Sequence, residues 1–299
     1  MIAATGLEAI LSDYFITARR ALDDVYDWEV PKNCPFDFQR GSDSCAQANM
    51  RLRRVLSKIW KNEPTRRPEI ATWYVRDWGG IISNRKETID KYVCLSEADL
   101  TALNMQGVAT WSKILAVQNP DTYAIFDARV SAALNAIQLA KGVETPILFP
   151  RLSSRNTKIT KFQKWLPIRS FSKRRPTYRD YILLLTAVSQ KSGAALEEVE
   201  MVLFANAEAL VAQFIAVLQG SATQMRKDEN STADYLSAEF IAWFEEVRVE
   251  QKKRIGPQLD AMLLKARSLR LQEGHKARER TLRSLKKVRV LQSRSQAAE

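Results

Sequence analysis

Apolar residues recur along this chain mostly at three- and four-residue intervals, and that period predicts a mainly helical protein. Leu7, Ile10, Leu11, Tyr14, Ile16 and Leu22 mark a helix over 7–27. A proline-containing loop from Val30 to Gly41 follows, after which Asp43 is placed to cap a helix to about Trp60. Pro64 and Pro68 punctuate, and a helix from Glu69 to Trp78 stops at Gly79-Gly80. Asn84 is placed to cap a short helix to Val93. Ser96 caps the next, with Glu97 and Asp99 in its first turn where they favour the helix dipole. Lys141 to Pro150 reads as a loop. Tyr181–Gln190 and Leu196–Leu218 read as strongly apolar helices whose acidic positions face solvent. Strand signals are confined to Tyr123–Phe126 and Pro146–Phe149.

The most informative stretch runs from Gly107 to Asn135. A tight turn, Gly107-Val108-Ala109, separates two helical patterns. The second pattern must end at Asn119-Pro120-Asp121, because proline cannot continue a helix. The apolar run Tyr123-Ala124-Ile125-Phe126 then leads to Asp127, and Val130, Ala133, Leu134 and Ile137 start a new helical period. Asp127 therefore stands where an N-cap stands.

Met105-Gln106-Gly107-Val108-Ala109, a helix, a short loop and an Asp opening the next helix together resemble the helix-hairpin-helix (HhH-GPD) DNA glycosylase superfamily, whose members include 8-oxoguanine and alkyl-purine glycosylases. The resemblance covers roughly thirty residues and implies a helical glycosylase-like core. It implies a hairpin whose backbone N–H groups at Gly107, Val108 and Ala109 hold a DNA phosphate, with Gly107 letting the backbone approach. It also implies Asp127 as the catalytic carboxylate. Two positions depart from the pattern. Ala109 replaces the second hairpin glycine, and Trp111 stands where glycosylases that also cleave the backbone carry a lysine. A Trp there resembles the single-function enzymes. Lys113 is two residues on, about 200° around a helix, and is the second candidate, as a Schiff-base nucleophile.

Charge adds a partner. The net charge of +12 is unevenly placed. Residues 1–150 are neutral, whereas 151–180 hold ten basic residues and one acidic one. Residues 251–299 hold fourteen basic and four acidic residues. Gathered charge of this kind points to a polyanion, here double-stranded DNA. Arg129, Arg155, Lys158, Lys161, Lys164, Lys173, Arg174 and Arg175 are the expected backbone contacts, interleaved over 151–180 with Phe162, Trp165, Phe171 and Tyr178. A solvated loop anchored by those aromatics is the plainer reading of the segment.

The expected organisation is a core over 1–219 with its basic loop at 151–180, a linker over 220–232, and an amphipathic then basic helical tail over 233–299. The tail is suited to general DNA affinity or to a protein partner. Three scattered cysteines, Cys34, Cys45 and Cys94, and the absence of a basic, apolar leader pattern suggest a reducing, cytoplasmic and nucleoid-associated setting. No apolar run reaches the roughly 18 residues of a membrane span.

The single histidine, His275, lies in the tail, which argues against Ser-His-Asp, Cys-His and zinc chemistry in the core. No cofactor motif is present. Breaking an N-glycosidic bond needs neither metal nor histidine. One carboxylate can stabilise the developing sugar cation and orient or deprotonate water. The target base must also be flipped out and held, for which Trp78, Trp111, Tyr123 and Phe126 are the nearby aromatics. Core packing is the commoner role for aromatics at such spacing. The leading expectation is thus a DNA glycosylase acting on an oxidised or alkylated base, with single-function chemistry favoured over lyase chemistry. The alternatives are a non-catalytic helix-hairpin-helix DNA-binding protein, or an accessory subunit of a DNA-processing or defence system. A further one is a helical interaction protein whose tail binds an acidic partner or RNA.

Overall fold

The computed structural model describes residues 6–143, 146–166 and 176–227, with Trp165 and 216–227 as backbone alone. The chain divides into two compact units between Phe214 and Ile215. The first is mainly helical, and no strand occurs among the described residues.

The α-helices among the described residues are α1 (Gly6–Ala18), α2 (Leu22–Val25), α3 (Cys45–Asn62), α4 (Arg67–Trp73), α5 (Lys86–Val93), α6 (Glu97–Ala102), α7 (Val108–Gln118), α8 (Ala128–Ala140), α9 (Thr157–Trp165), α10 (Tyr178–Ser192) and α11 (Leu196–Lys227). The central helices are α7 and α8, each buried along nearly its whole length. α3 and α5 pack on α7, while α1 packs on α8 and α10. The core beside α3 and α7 is built from Phe36, Leu52, Leu56, Trp60, Ile70 and Ile114, with Tyr74 stacked on Trp78 at 4.1 Å and 5°.

Several local details differ from the sequence expectation. Ser44, not Asp43, caps α3, in a capping box with Gln47. Asp43 instead pairs with Arg51 at 2.6 Å. Arg85, not Asn84, precedes α5, and the Asn84 side chain donates to Thr110 in the first turn of α7. The helix expected to end at Trp78 does so through a π-helical turn, Tyr74–Trp78, in which the Gly79 N–H reaches the Tyr74 carbonyl at 2.9 Å. Glu197 and Glu200, expected at exposed positions of α11, are 1% and 2% exposed because Arg54 and Arg53 of α3 neutralise them there. Residues 151–180, expected to be irregular, contain α9, capped by Asn156. Gly220 does not open a linker. α11 runs through it to Lys227, since one glycine costs a helix only about 1 kcal/mol among the strong helix formers around it. The remainder of the expected linker, the tail over 233–299, and Lys173, Arg174 and Arg175 lie outside the described residues. No helix among the described residues is long and apolar enough to cross a membrane.

The two apolar runs read as strand signals are extended segments bonded to side chains instead. Ser131, Asn135 and Gln138 form a polar stripe on α8 at helical spacing. Ser131 Oγ donates to the Pro150 carbonyl at 2.7 Å. Asn135 exchanges two hydrogen bonds with Phe149, at 2.8 and 3.1 Å. Gln138 does the same with Ile147, at 2.7 and 2.9 Å. A helix face thus replaces the neighbouring strand, and the buried backbone groups are satisfied.

Candidate catalytic and DNA-binding site

The hairpin turn joins α6 to α7. Asn104 and Gly107 both take left-handed backbone angles, φ 55 and φ 69. Asn tolerates that region and Gly is free in it. Gly107 is constrained a second way, because the Tyr92 hydroxyl occupies the space a Cβ would need. Gly107 is exposed, Val108 is buried and Ala109 is partly buried. Val108 anchors the turn, and the Val108 and Thr110 N–H groups in the first turn of α7 donate within it, to the Met105 and Gly107 carbonyls at 3.5 and 2.9 Å.

α7 carries Lys113, and the loop after α7 returns Asp127. That loop, Tyr123–Phe126, runs through the interior held by side chains from two helices, α7 and α10. Tyr178 Oη donates to the Ala124 carbonyl at 2.7 Å, and Tyr181 Oη to the Ile125 carbonyl at 2.8 Å. The Phe126 N–H donates to Ser112 Oγ at 3.1 Å. A segment tethered at three successive residues delivers Asp127 to a fixed place.

Asp127 caps α8, as its position suggested. Its Oδ1 accepts from the N–H groups of Arg129 and Val130, at 2.9 and 3.0 Å. The cap uses one carboxylate oxygen, and the side chain is partly exposed.

Lys113 is 4% exposed, and its Nζ donates to the Ala109 carbonyl at 3.0 Å. Burial pushes its pKa below the usual lysine value. The largest charge opposing that shift is the Asp127 carboxylate, followed by Glu200. The Asp127 charge thus acts on Lys113, the second of the two catalytic candidates read from the sequence. The Lys113 stem crosses Gly79 at the end of the π turn. A Cβ there would stand 2.7 Å from Lys113 Cε and 2.8 Å from the Val75 carbonyl oxygen. Gly79 is therefore needed for close approach, and the π turn next to a buried lysine is the kind of local irregularity that recurs at functional sites.

Behind this pair lies a buried ionic cluster that sequence reasoning missed. Arg53 donates to the Glu200 carboxylate and, from Nε, to Tyr74 Oη at 2.9 Å. Burial works against the Arg53 charge, but Glu200 and Tyr74 outweigh it and hold its pKa well above the usual value. Burial raises the Glu200 pKa, opposed by Arg53. The signal for Arg53 was its helical phase. Asn49, Arg53 and Ser57 fall on the edge of the stripe Leu52–Leu56–Trp60, all of them buried.

The aromatic candidates are placed as follows. Trp111 is fully buried, its Nε1 donating to the Gln106 carbonyl at 2.7 Å and its ring set edge-on to Tyr178. Phe126 is fully buried against Phe149 and Tyr181. Trp78 is 5% exposed, with Nε1 donating to Asn49 Oδ1 at 2.6 Å. These three side chains fill the core. Tyr123 is partly exposed and donates to Glu97 at 2.8 Å. Burial, then Glu97, raises its pKa to about 12. A surface cleft of about 480 Å³ is lined by Ile16, Arg19, Asp23, Gln47 and Glu198 among others, and by none of these aromatics.

Of the basic candidates, Arg155, Lys158, Lys161 and Lys164 are exposed. The Arg155 guanidinium lies over Gly80, which ties the 151–156 segment to the turn that carries Gly79. Arg129 is turned to Glu208 at 2.9 Å and packs over the Phe204 ring at 4.9 Å. Among the described residues, no group of three or more His, Cys, Asp or Glu side chains is placed to hold a metal ion. No protein-family model, no curated protein and no solved structure matches this chain.

Proposed function

We propose that this protein binds duplex DNA through its hairpin and hydrolyses the N-glycosidic bond of an oxidised or alkylated base, with Asp127 as the catalytic carboxylate. The observation that carries the reading is the buried amine of Lys113 on the helix that the hairpin opens, its lowered pKa opposed first by the Asp127 charge at the cap of the next helix. A carboxylate whose charge acts on a desolvated amine is more than a helix cap requires. The leaving base takes the bonding electron pair, C1′ of the sugar becomes electron-poor, and Asp127 stabilises it while accepting a proton from the attacking water.

Lys113 favours a second form of the chemistry. An amine whose pKa is lowered by burial is a competent nucleophile. Attack of its nitrogen on C1′ expels the base with the bonding electron pair; the nitrogen loses a proton, the C1′–O4′ bond then opens with O4′ taking a proton, and the resulting iminium permits strand cleavage by elimination of the 3′-phosphate. Incubation with duplexes each holding one damaged base, followed by alkali or no alkali, separates the two. Breaks only after alkali, lost in Asp127→Asn, support hydrolysis. Breaks without alkali, and a covalent complex trapped by borohydride that Lys113→Gln abolishes, support the amine. If neither treatment cleaves any substrate while the duplex still shifts on a gel, the protein is a non-catalytic helix-hairpin-helix DNA-binding protein and Asp127 is a cap.

A further inference from the structure

Glu208 of α11 is the meeting point of three donors from two other elements. It accepts from Arg129 Nη2 of α8 at 2.9 Å, from Asn156 Nδ2 at the cap of α9 at 2.6 Å, and from Lys158 Nζ of α9 at 3.1 Å. We propose that Arg129, Asn156 and Lys158 form a binding site for a DNA backbone phosphate, and that the Glu208 carboxylate fills it in the free protein. The inference rests on the duplex-binding reading and adds a specific contact and a regulatory residue to it.

Three features set this cluster apart from a surface ion pair. Two cations, Arg129 and Lys158, share the one Glu208 carboxylate, which therefore does not neutralise both. The Arg129 guanidinium has a support besides Glu208, the Phe204 ring over which it lies at 4.9 Å. Asn156 is likewise held apart from Glu208, by its Oδ1 cap on α9, so these two donors stay in place when the carboxylate leaves. Glu208 itself is 31% exposed and Lys158 63%, so an external anion can reach both. A carboxylate offers two oxygens in a plane, whereas a phosphate offers tetrahedral ones. Planar guanidinium, amide and ammonium donors converging from three directions suit the second at least as well. The site also lies two residues from Asp127 in sequence, so a phosphate held there positions the strand at the carboxylate.

Occupancy by Glu208 and by phosphate is mutually exclusive, which gives the test. Duplex affinity is measured over a salt series for the full chain, Glu208→Gln, Lys158→Gln and the double variant, with Glu8→Gln as the control for loss of one exposed carboxylate from α1. Thermal melting confirms folding of each. Glu208→Gln is expected to tighten binding several-fold beyond Glu8→Gln, and that excess is expected to disappear in the Lys158→Gln background. Lys158→Gln alone is expected to lower the salt slope by about one. If the full chain binds duplex but Glu208→Gln gains no more than Glu8→Gln, or gains equally without Lys158, the phosphate site is wrong and the duplex reading stands. If neither the full chain nor Glu208→Gln binds duplex at low salt, both fall together.

Discussion

Arg53 of α3 and Glu200 of α11 form an ion pair in which the two side chains are 1% and 2% exposed. Their separation in sequence is large, so the pair fixes the two helices that flank the path to Asp127. The Ile125 N–H also favours the charged Glu200, which links the pair to the segment that carries Asp127. Removing one partner leaves the other charge buried alone. Arg53→Met is expected to cost about 3–5 kcal/mol in urea unfolding, and Arg53→Met with Glu200→Leu to recover most of it. A cost of the single variant below about 1 kcal/mol would mean that water reaches the pair and that it does not organise the site.

Asp127 has a structural role whatever its chemistry, and substitutions separate the two. Asparagine caps a helix as well as aspartate does, so Asp127→Asn is expected to change stability by less than about 0.5 kcal/mol. Asp127→Ala loses both bonds from Oδ1 and is expected to cost about 1 kcal/mol. Both variants are expected to lose base release while retaining duplex binding. Base release by Asp127→Asn at the native rate would leave the residue with capping alone.

The helical class, the hairpin glycine and the Asp127 cap were legible because each is a local property. A 3.6-residue period, a residue free at positive φ and a short acceptor before a helix need no knowledge of the rest of the chain. Residues whose roles depend on a distant partner were not legible. Glu197 and Glu200 look like the solvated face of α11 until Arg53 and Arg54 are placed opposite them. Trp111 drew attention for standing at a particular hairpin position, yet it is spent on the Gln106 carbonyl and Tyr178. Lys113 was turned away from that position on a helical wheel. Its relation to Asp127 comes from the returning loop, which no helical period encodes.

The polar stripe on α8 offers a test of how the other extended segment is held. Asn135 is fully buried and satisfies both backbone groups of Phe149. Asn135→Leu keeps the branched shape of the side chain but leaves a buried N–H and a buried C=O unpaired, at about 1–3 kcal/mol each. The variant is expected to lose at least about 2 kcal/mol in urea unfolding and to expose residues 147–150 to proteolysis. A neutral effect would show that backbone bonding does not hold the segment on α8.

Lys113 gives a pH dependence whose sign follows from its lowered pKa. Above about pH 10.4, the ordinary lysine value, the amine is neutral in the folded and unfolded chain alike and imposes no penalty. As the pH falls, the unfolded lysine takes its proton first, which favours the unfolded state. The penalty grows until the folded amine also protonates and is constant below that. Lys113→Met keeps the stem and removes the titrating group. It is expected to stabilise the protein at neutral pH, with a gain that shrinks as pH rises toward and past 10.4. The comparison is the difference between variant and parent in urea unfolding at each pH, so other titrating groups cancel. The same variant is expected to give no borohydride-trapped complex if the amine is the nucleophile. A stability gain independent of pH would show that Lys113 is protonated normally in the fold, and the case for it as a nucleophile would be lost.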